Sequence, residues 1–190
     1  MTPRLLALLA LLPLAAVLLA AAWQDVRESR IPNRLVFPGA LLGLLLNGLL
    51  PEGEGFLSTL PGALGWVAGL EGLGVGLALL LPLYWLGASG AGDVKLLAMA
   101  GAFLGPNDVF GAALAIFVAG GVMGLAAAAV KGLLPRLFAN LKLMLFGVMV
   151  KAIGGQAPTV ELNGTSVGKL PYAVAIATGT IGYAGWRLTG

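Results

Sequence analysis

The sequence predicts an all-α fold: a polytopic membrane protein of about six transmembrane helices, with the N-terminus and the C-terminus outside. Composition is the first sign. Hydrophobic residues make up 59% of the 190-residue chain and charged residues only 10%, where a soluble domain carries roughly 25% charge. Mean hydropathy is +0.98. The second sign is that the few charges collect between apolar runs long enough to span hydrocarbon. The third is their sign. Threading the runs alternately puts Arg27, Arg30, Arg34, Lys95, Lys131, Arg136, Lys142, Lys151 and Lys169 on one face. Only Arg4 and Arg187 then lie on the other, beside the acidic turn with Glu52 and Glu54. Basic loops stay in the cytosol, so that face is the cytosolic one.

The first span is Leu5 to Trp23, which no charge interrupts. A secretory signal is the competing reading, with Arg4 as basic flank and Ala20-Ala21-Ala22 as cleavage site. The run exceeds a signal core of about 7–15 residues, and its following flank is the more basic one, which favours a retained span. A second span covers about Leu35 to Leu50 and ends at "PEGEG". A third takes part of Leu60 to Leu86, with Glu71 in its outer third. The fourth begins at Asp93 and stops at Gly105, short for a span, and "PND" then reads as a turn. The fifth is about Val109 to Val130, and the sixth runs from Pro171 to about Trp186.

Residues 1–190 thus form one membrane-embedded domain with a cytosolic or interfacial connection at about 131–170. Within it Arg136, Asn140, Gly147 and Lys151 share a narrow helical sector, which suits a helix lying in the interface. A tightly packed re-entrant segment is the alternative. "TVELNGTSV" alternates around Asn163-Gly164, a hairpin-turn signal.

Chemistry is bounded by what is missing. With no His and no Cys, disulfides, thiol nucleophiles, a Ser-His-Asp group and a HExxH zinc site are all excluded. Hydrolysis would fall to carboxylates, Lys, Tyr or the serines Ser29, Ser58, Ser89 and Ser166. The net charge of +3 is spent on membrane orientation and gives no reason to expect nucleic acid.

The aspartates are Asp25, Asp93 and Asp108. Asp108 in "PND" reads as a turn residue. Asp25 closes the first span and Asp93 opens the fourth, so topology puts both at the cytosolic face. Each has a bland reading: Asp93 as a helix N-cap, Asp25 as a solvated partner of Arg27 or Arg30. Asp25 is the harder to dismiss, because a helix C-terminus disfavours an anion. Together they suit peptide hydrolysis. One carboxylate activates water and the other, protonated, donates to the carbonyl oxygen, two close carboxylates sharing a proton. Gly87, Gly90 and Gly92 would let backbone and substrate approach Asp93.

"GAGD" followed by "VKLLA" resembles the GxGD signature of membrane aspartyl proteases, specifically the type IV prepilin peptidases. "DVRESRIPN", Asp25 to Asn33, is similar to that family's first aspartate segment, and "GAFLG" and "KLPYAVAIATG" resemble further family segments. The resemblance implies a catalytic pair, Asp25 and Asp93, acting without metal or cofactor in the inner (cytoplasmic) membrane. Its substrates would be prepilins with a basic leader ahead of an apolar helix, cut at the cytosolic face, with pilus assembly machinery as further partners. The chain lacks the larger members' zinc-binding cysteines and the cytosolic domain before Asp25, so methylation of the new N-terminus is not implied. The short form is more similar to TadV/CpaA-type peptidases of Flp pilins.

Lys95 stands beside Gly90 and Gly92 at the approach to Asp93. It could bias the pair's ionisation or bind lipid phosphate, though an inside-positive anchor explains it as well. Pro32 and Asn33 fit the turn into the second span. Gly65/Gly69, Gly72/Gly76 and Gly120/Gly124 are small-xxx-small pairs suited to helix packing. Rival readings are a Ser-Lys hydrolase using Ser89 and Lys95, a non-catalytic subunit of a pilus assembly or transport system, and a related enzyme acting on archaellin precursors.

Overall fold

The computed structural model describes residues 3–50, 64–85, 89–135 and 171–189. Among them every regular element is a helix: α1 (Pro3–Glu28), α2 (Asn33–Leu49), α3 (Gly65–Trp85), then a run from Ala91 to Val130, and finally Tyr172–Thr189. The long run is two helices, α4 (91–104) and α5 (106–130), broken at Gly105; Tyr172–Thr189 is α6. Gly105 has φ 77° and ψ 176°, a region that only glycine enters at little cost. Pro106 follows as the first residue of α5, where a missing N–H breaks no helical bond. The "PND" turn expected from the sequence is therefore absent. One glycine makes the break, and Asn107 and Asp108 already belong to α5.

The direction of each helix follows from which residues meet. Gly39 faces Met99 and Gly43 faces Phe103, so α2 and α4 run parallel. Gly72 faces Gly101 and Gly76 faces Leu97, so α3 and α4 are antiparallel. Gly111 meets Tyr183 and Gly120 meets Tyr172, which sets α5 against α6. Asp25 meets Ala173, while Leu11 and Leu188 line the same cavity, so α6 is antiparallel to α1. Since α1 and α2 form a hairpin across Ser29–Pro32, with Val17 near Gly39, α4 and α5 run in opposite senses. The chain reverses at Gly105–Pro106 without a loop.

α4 is the axis of this bundle. From Asp93 to Gly105 every residue except Lys95 is buried. Its neighbours meet it through glycine. A Cβ at Gly76 would come within 2.6 Å of the Leu97 carbonyl oxygen, and one at Gly72 within 2.6 Å of Gly105 Cα. The buried positions of α3 are Gly69, Gly72, Gly76 and Leu80, whereas Trp66, Val67, Leu70 and Leu77 are exposed. Small residues inside and large apolar ones outside invert the order of a water-soluble helix. They suit a bundle packed in lipid, where close backbone approach and not apolar burial holds helices together. Gly65–Trp85 and the Ala91–Val130 run are each long and apolar enough to cross a bilayer.

The reversal leaves a debt in hydrogen bonds that a distant residue settles. The Ala102 carbonyl would accept from the N–H of residue 106, but proline has none. Asn47, buried in α2, donates its Nδ2 to the Ala102 oxygen at 2.7 Å and to the Phe103 oxygen at 3.2 Å. Its Oδ1 accepts the Leu64 N–H at 3.3 Å, just before α3. One amide thus serves two helix ends through three hydrogen bonds.

Residues 1–120 and 171–190 form one compact unit and Gly121–Leu170 a second. The described part of the second, 121–135, is helical to Val130. It ends in a left-handed Gly132 (φ 65°), with the Leu133 N–H on the Ala128 oxygen at 2.8 Å and the Gly132 N–H on the Ala129 oxygen at 3.0 Å. That paired closure is the usual glycine stop of a helix. The interfacial helix and the hairpin expected between residues 136 and 170 lie outside the described residues, as do the "PEGEG" turn and Gly87.

Candidate active site

Asp93 lies in the first turn of α4. It is not the N-cap. Gly90 holds that position, its carbonyl accepting the N–H groups of Asp93 at 3.1 Å and Val94 at 3.3 Å. Asp93 sits three residues further on, and its Oδ2 reaches back to accept the Gly90 N–H at 2.9 Å and the Ser89 hydroxyl at 3.3 Å. This is the acidic half of a capping box. It explains how a carboxylate can be buried at modest cost, since donors and the helix N-terminus both favour it. Only one of its oxygens is so engaged.

Asp25 comes from the other end of the fold. It lies within the last turn of α1, which ends at Glu28, with the Ser29 N–H closing on the Asp25 carbonyl at 2.8 Å. The unfavourable end of the α1 dipole is offset by α6. The Ala173 N–H, in the first turn of α6, donates to Asp25 Oδ2 at 3.1 Å across a sequence separation of 148 residues. An unpaired N–H at a helix start is a natural carboxylate donor. Asp25 and Asp93 are near enough for their charges to interact, and no hydrogen bond joins them. Among the described residues each is held by donors on one oxygen, and the other oxygen accepts no hydrogen bond.

The "IPN" segment belongs to the same site. Ile31 faces Gly92, where a Cβ would come within 3.0 Å of the Ile31 Cβ. Asn33 Oδ1 accepts from Lys95 Nζ at 3.3 Å, and the same ammonium lies 5.8 Å from the Phe37 ring centroid. Gly92 therefore admits Ile31 in this state, while Lys95 pins the start of α2 to the start of α4. Gly90 is exposed and stands beside the Asp93 carboxylate. Pro32 is the N-cap of α2 without a side-chain hydrogen bond, and Arg27 stacks on Trp23 at 4.4 Å. Arg30 and Arg34 are exposed. Ser89 and Lys95 engage Asp93 and Asn33 respectively, so they do not form the pair a Ser-Lys hydrolase needs.

Two polar positions were missed from the sequence. Asp108, read there as a turn residue, is a buried member of α5. Its Oδ1 accepts the Tyr183 hydroxyl at 2.6 Å and the Arg187 Nε at 3.0 Å. It ties α5 to α6 at the end of the bundle remote from Asp25. The signal was available: the alternating topology puts Arg187 and the "PND" segment on the same membrane face. Asn47 gave no such signal, because its role exists only once Gly105 has reversed the chain. Among the described residues no three acidic side chains gather as a metal site would require.

A site with two carboxylates on separate helix ends, one buried and one half-buried, can activate water and donate a proton. Comparison with known proteins gives that arrangement a context. The model of the Type IV leader peptidase family matches residues 12–125. The chain belongs to the type IV leader peptidase family. The match takes in both aspartates, the Ile-Pro-Asn turn and the Gly105 break; α6 lies beyond it. No curated protein and no solved structure matches the chain significantly. Membership in this family of membrane-associated leader peptidases makes the chain peptidase-like, with prepilin-type proteins as the implied substrates.

Proposed function

We propose that the protein is an intramembrane aspartyl endopeptidase that removes the basic leader of Flp or type IV-like prepilins. Asp25 and Asp93 are its catalytic pair, activating one water between them at the cytosolic membrane face. The observation that carries this reading is their convergence. Two carboxylates from helices remote in sequence meet at one end of the bundle within electrostatic reach, each held by backbone N–H donors.

In this reading α1 to α6 cross the inner membrane six times with both termini outside, in keeping with their alternating directions. At 1.5 Å per residue, α4 from 91 to 104 spans about 20 Å, less than the roughly 30 Å of hydrocarbon. Asp93 then lies below the membrane surface, at the depth where a prepilin's leader passes into its apolar helix. Gly90 keeps the approach to Asp93 open, and Lys95 holds the neighbouring turn in place. The pair needs no cofactor, and methylation of the product is not part of the proposal.

The test is cleavage of a co-expressed Flp-type prepilin, read as a mobility shift. Asp25→Asn and Asp93→Asn should each abolish processing while the protein still inserts. Ser89→Ala should retain activity within about fivefold, since the Gly90 N–H still holds Asp93 and one hydrogen bond as long as 3.3 Å is worth about 1 kcal/mol. Near wild-type cleavage by either aspartate variant would overturn the pair.

A further inference from the structure

The first turn of α6 carries more than a donor to Asp25. Tyr172 precedes Ala173, so the backbone that positions its ring is the backbone bound to Asp25. The ring rests on α5 at Gly120, where a Cβ would come within 2.9 Å of Tyr172 Cε2 and 3.5 Å of its hydroxyl. A side chain at 120 would push the ring aside. The phenol is half-buried, and the charge of Asp93 reaches it. Yet among the described residues its hydroxyl makes no hydrogen bond. Tyr183, on the same helix, shows the ordinary outcome, giving its hydroxyl to Asp108 at 2.6 Å. Tyr172 is only partly buried, and its oxygen stays open to the surroundings. It is poised for a group that arrives later.

The chemistry of the pair says which group. Two carboxylates can take a proton from water and return one to the peptide, but neither fixes the plane of the peptide against them. That task needs a neutral donor on a rigid element, and a phenol is one. We propose that Tyr172 is the third member of the active centre: its hydroxyl donates a hydrogen bond to the backbone of the bound leader peptide and holds the scissile bond across Asp25 and Asp93. Gly120 sets the position of the ring. This assignment rests on the peptidase reading above.

The experiment measures kcat and KM of the purified full chain on a prepilin-like peptide with a basic leader and an apolar helix. Wild type, Tyr172→Phe and Gly120→Ala are compared, with Asp25→Asn as the inactive control. Tyr172→Phe should lower kcat by at least about tenfold, as expected when an orienting donor is lost, with KM within about threefold and thermal stability unchanged. Gly120→Ala keeps the hydroxyl but displaces the ring, and should also lower kcat. Wild-type kcat in Tyr172→Phe, or a change confined to KM, would overturn the assignment and leave the aspartate pair standing. Should Tyr172→Phe fail to accumulate, wild-type kcat in Gly120→Ala would overturn it alone. Failure of the wild-type protein to cleave any prepilin or archaellin precursor would overturn both this assignment and the peptidase reading.

Discussion

Replacing Asn47 by Leu tests how the loop-free reversal between α4 and α5 is held. The side chain keeps its branching, gains some bulk and loses all three hydrogen bonds. Two magnitudes compete. A side-chain hydrogen bond between helices in lipid is worth about 0.6 kcal/mol on average and about 1.7 at most. A buried carbonyl left without any donor costs about 1–3 kcal/mol. The Ala102 oxygen has no second choice, because Pro106 cannot donate and Ala102 is fully buried. The Phe103 oxygen is nearly as confined, since Phe103 is 1% exposed. The larger figure therefore governs the first carbonyl and the smaller one the second. Their sum is a loss of about 2–4 kcal/mol. The assay is reversible unfolding in mixed micelles, wild type against Asn47→Leu. Peptidase activity measured well below the transition should be retained, because Asn47 sits at the end of the bundle remote from Asp25. A loss below about 0.5 kcal/mol, within the range of a neutral surface change, would refute the claim that Asn47 repairs the break.

Two further predictions use the same titration. Gly101→Ala would drive a Cβ into the Gly72 carbonyl oxygen, backbone against helix, and should cost about 3 kcal/mol or more. Gly74→Ala meets nothing within 4 Å and should be neutral or stabilising by up to about 1 kcal/mol; equal effects at the two sites would refute the packing described. Arg187→Ala leaves the Asp108 carboxylate buried with Tyr183 as its one donor among the described residues. Because Arg187 is 29% exposed, the expected loss is about 1–3 kcal/mol, below that for a fully buried pair. Adding Asp108→Asn removes the orphaned charge and should recover most of it, and a double variant less stable than the single would argue against an ion pair.

Much of the architecture was legible because lipid imposes it. Runs of apolar residues with basic loops on one side can hardly be anything but helices, and the structure begins and ends most of them within a few residues of the expected places. The aspartates were legible for a related reason: charges are so scarce here that each must be accounted for. What the sequence hid depends on contacts between segments. The end of α4 at Gly105 could be read from "GPN", but not that the chain would turn back on one residue. Asn47 looked like an isolated polar residue in a leucine run, and became interpretable only beside the orphaned Ala102 carbonyl. The bland reading of Asp93 is an N-cap, because capping is local. Its true place, three residues beyond Gly90, emerged from which N–H its oxygen meets. Tyr172 was overlooked because a tyrosine at a helix start carries no signal of its own.

The hydrogen bond from Ala173 to Asp25 also sets an order in time. Asp25 is synthesised early and Asp93 soon after, but the N–H that holds Asp25 is not made until another 80 residues or so have followed Asp93, at the elongation rates of roughly 5–20 residues per second at which chains leave the ribosome. A nascent chain arrested before Pro171 would have both carboxylates and the family's matched region, yet lack the donor that orients the first of them. The contact that holds Asp25 therefore forms only after Ala173 has been made.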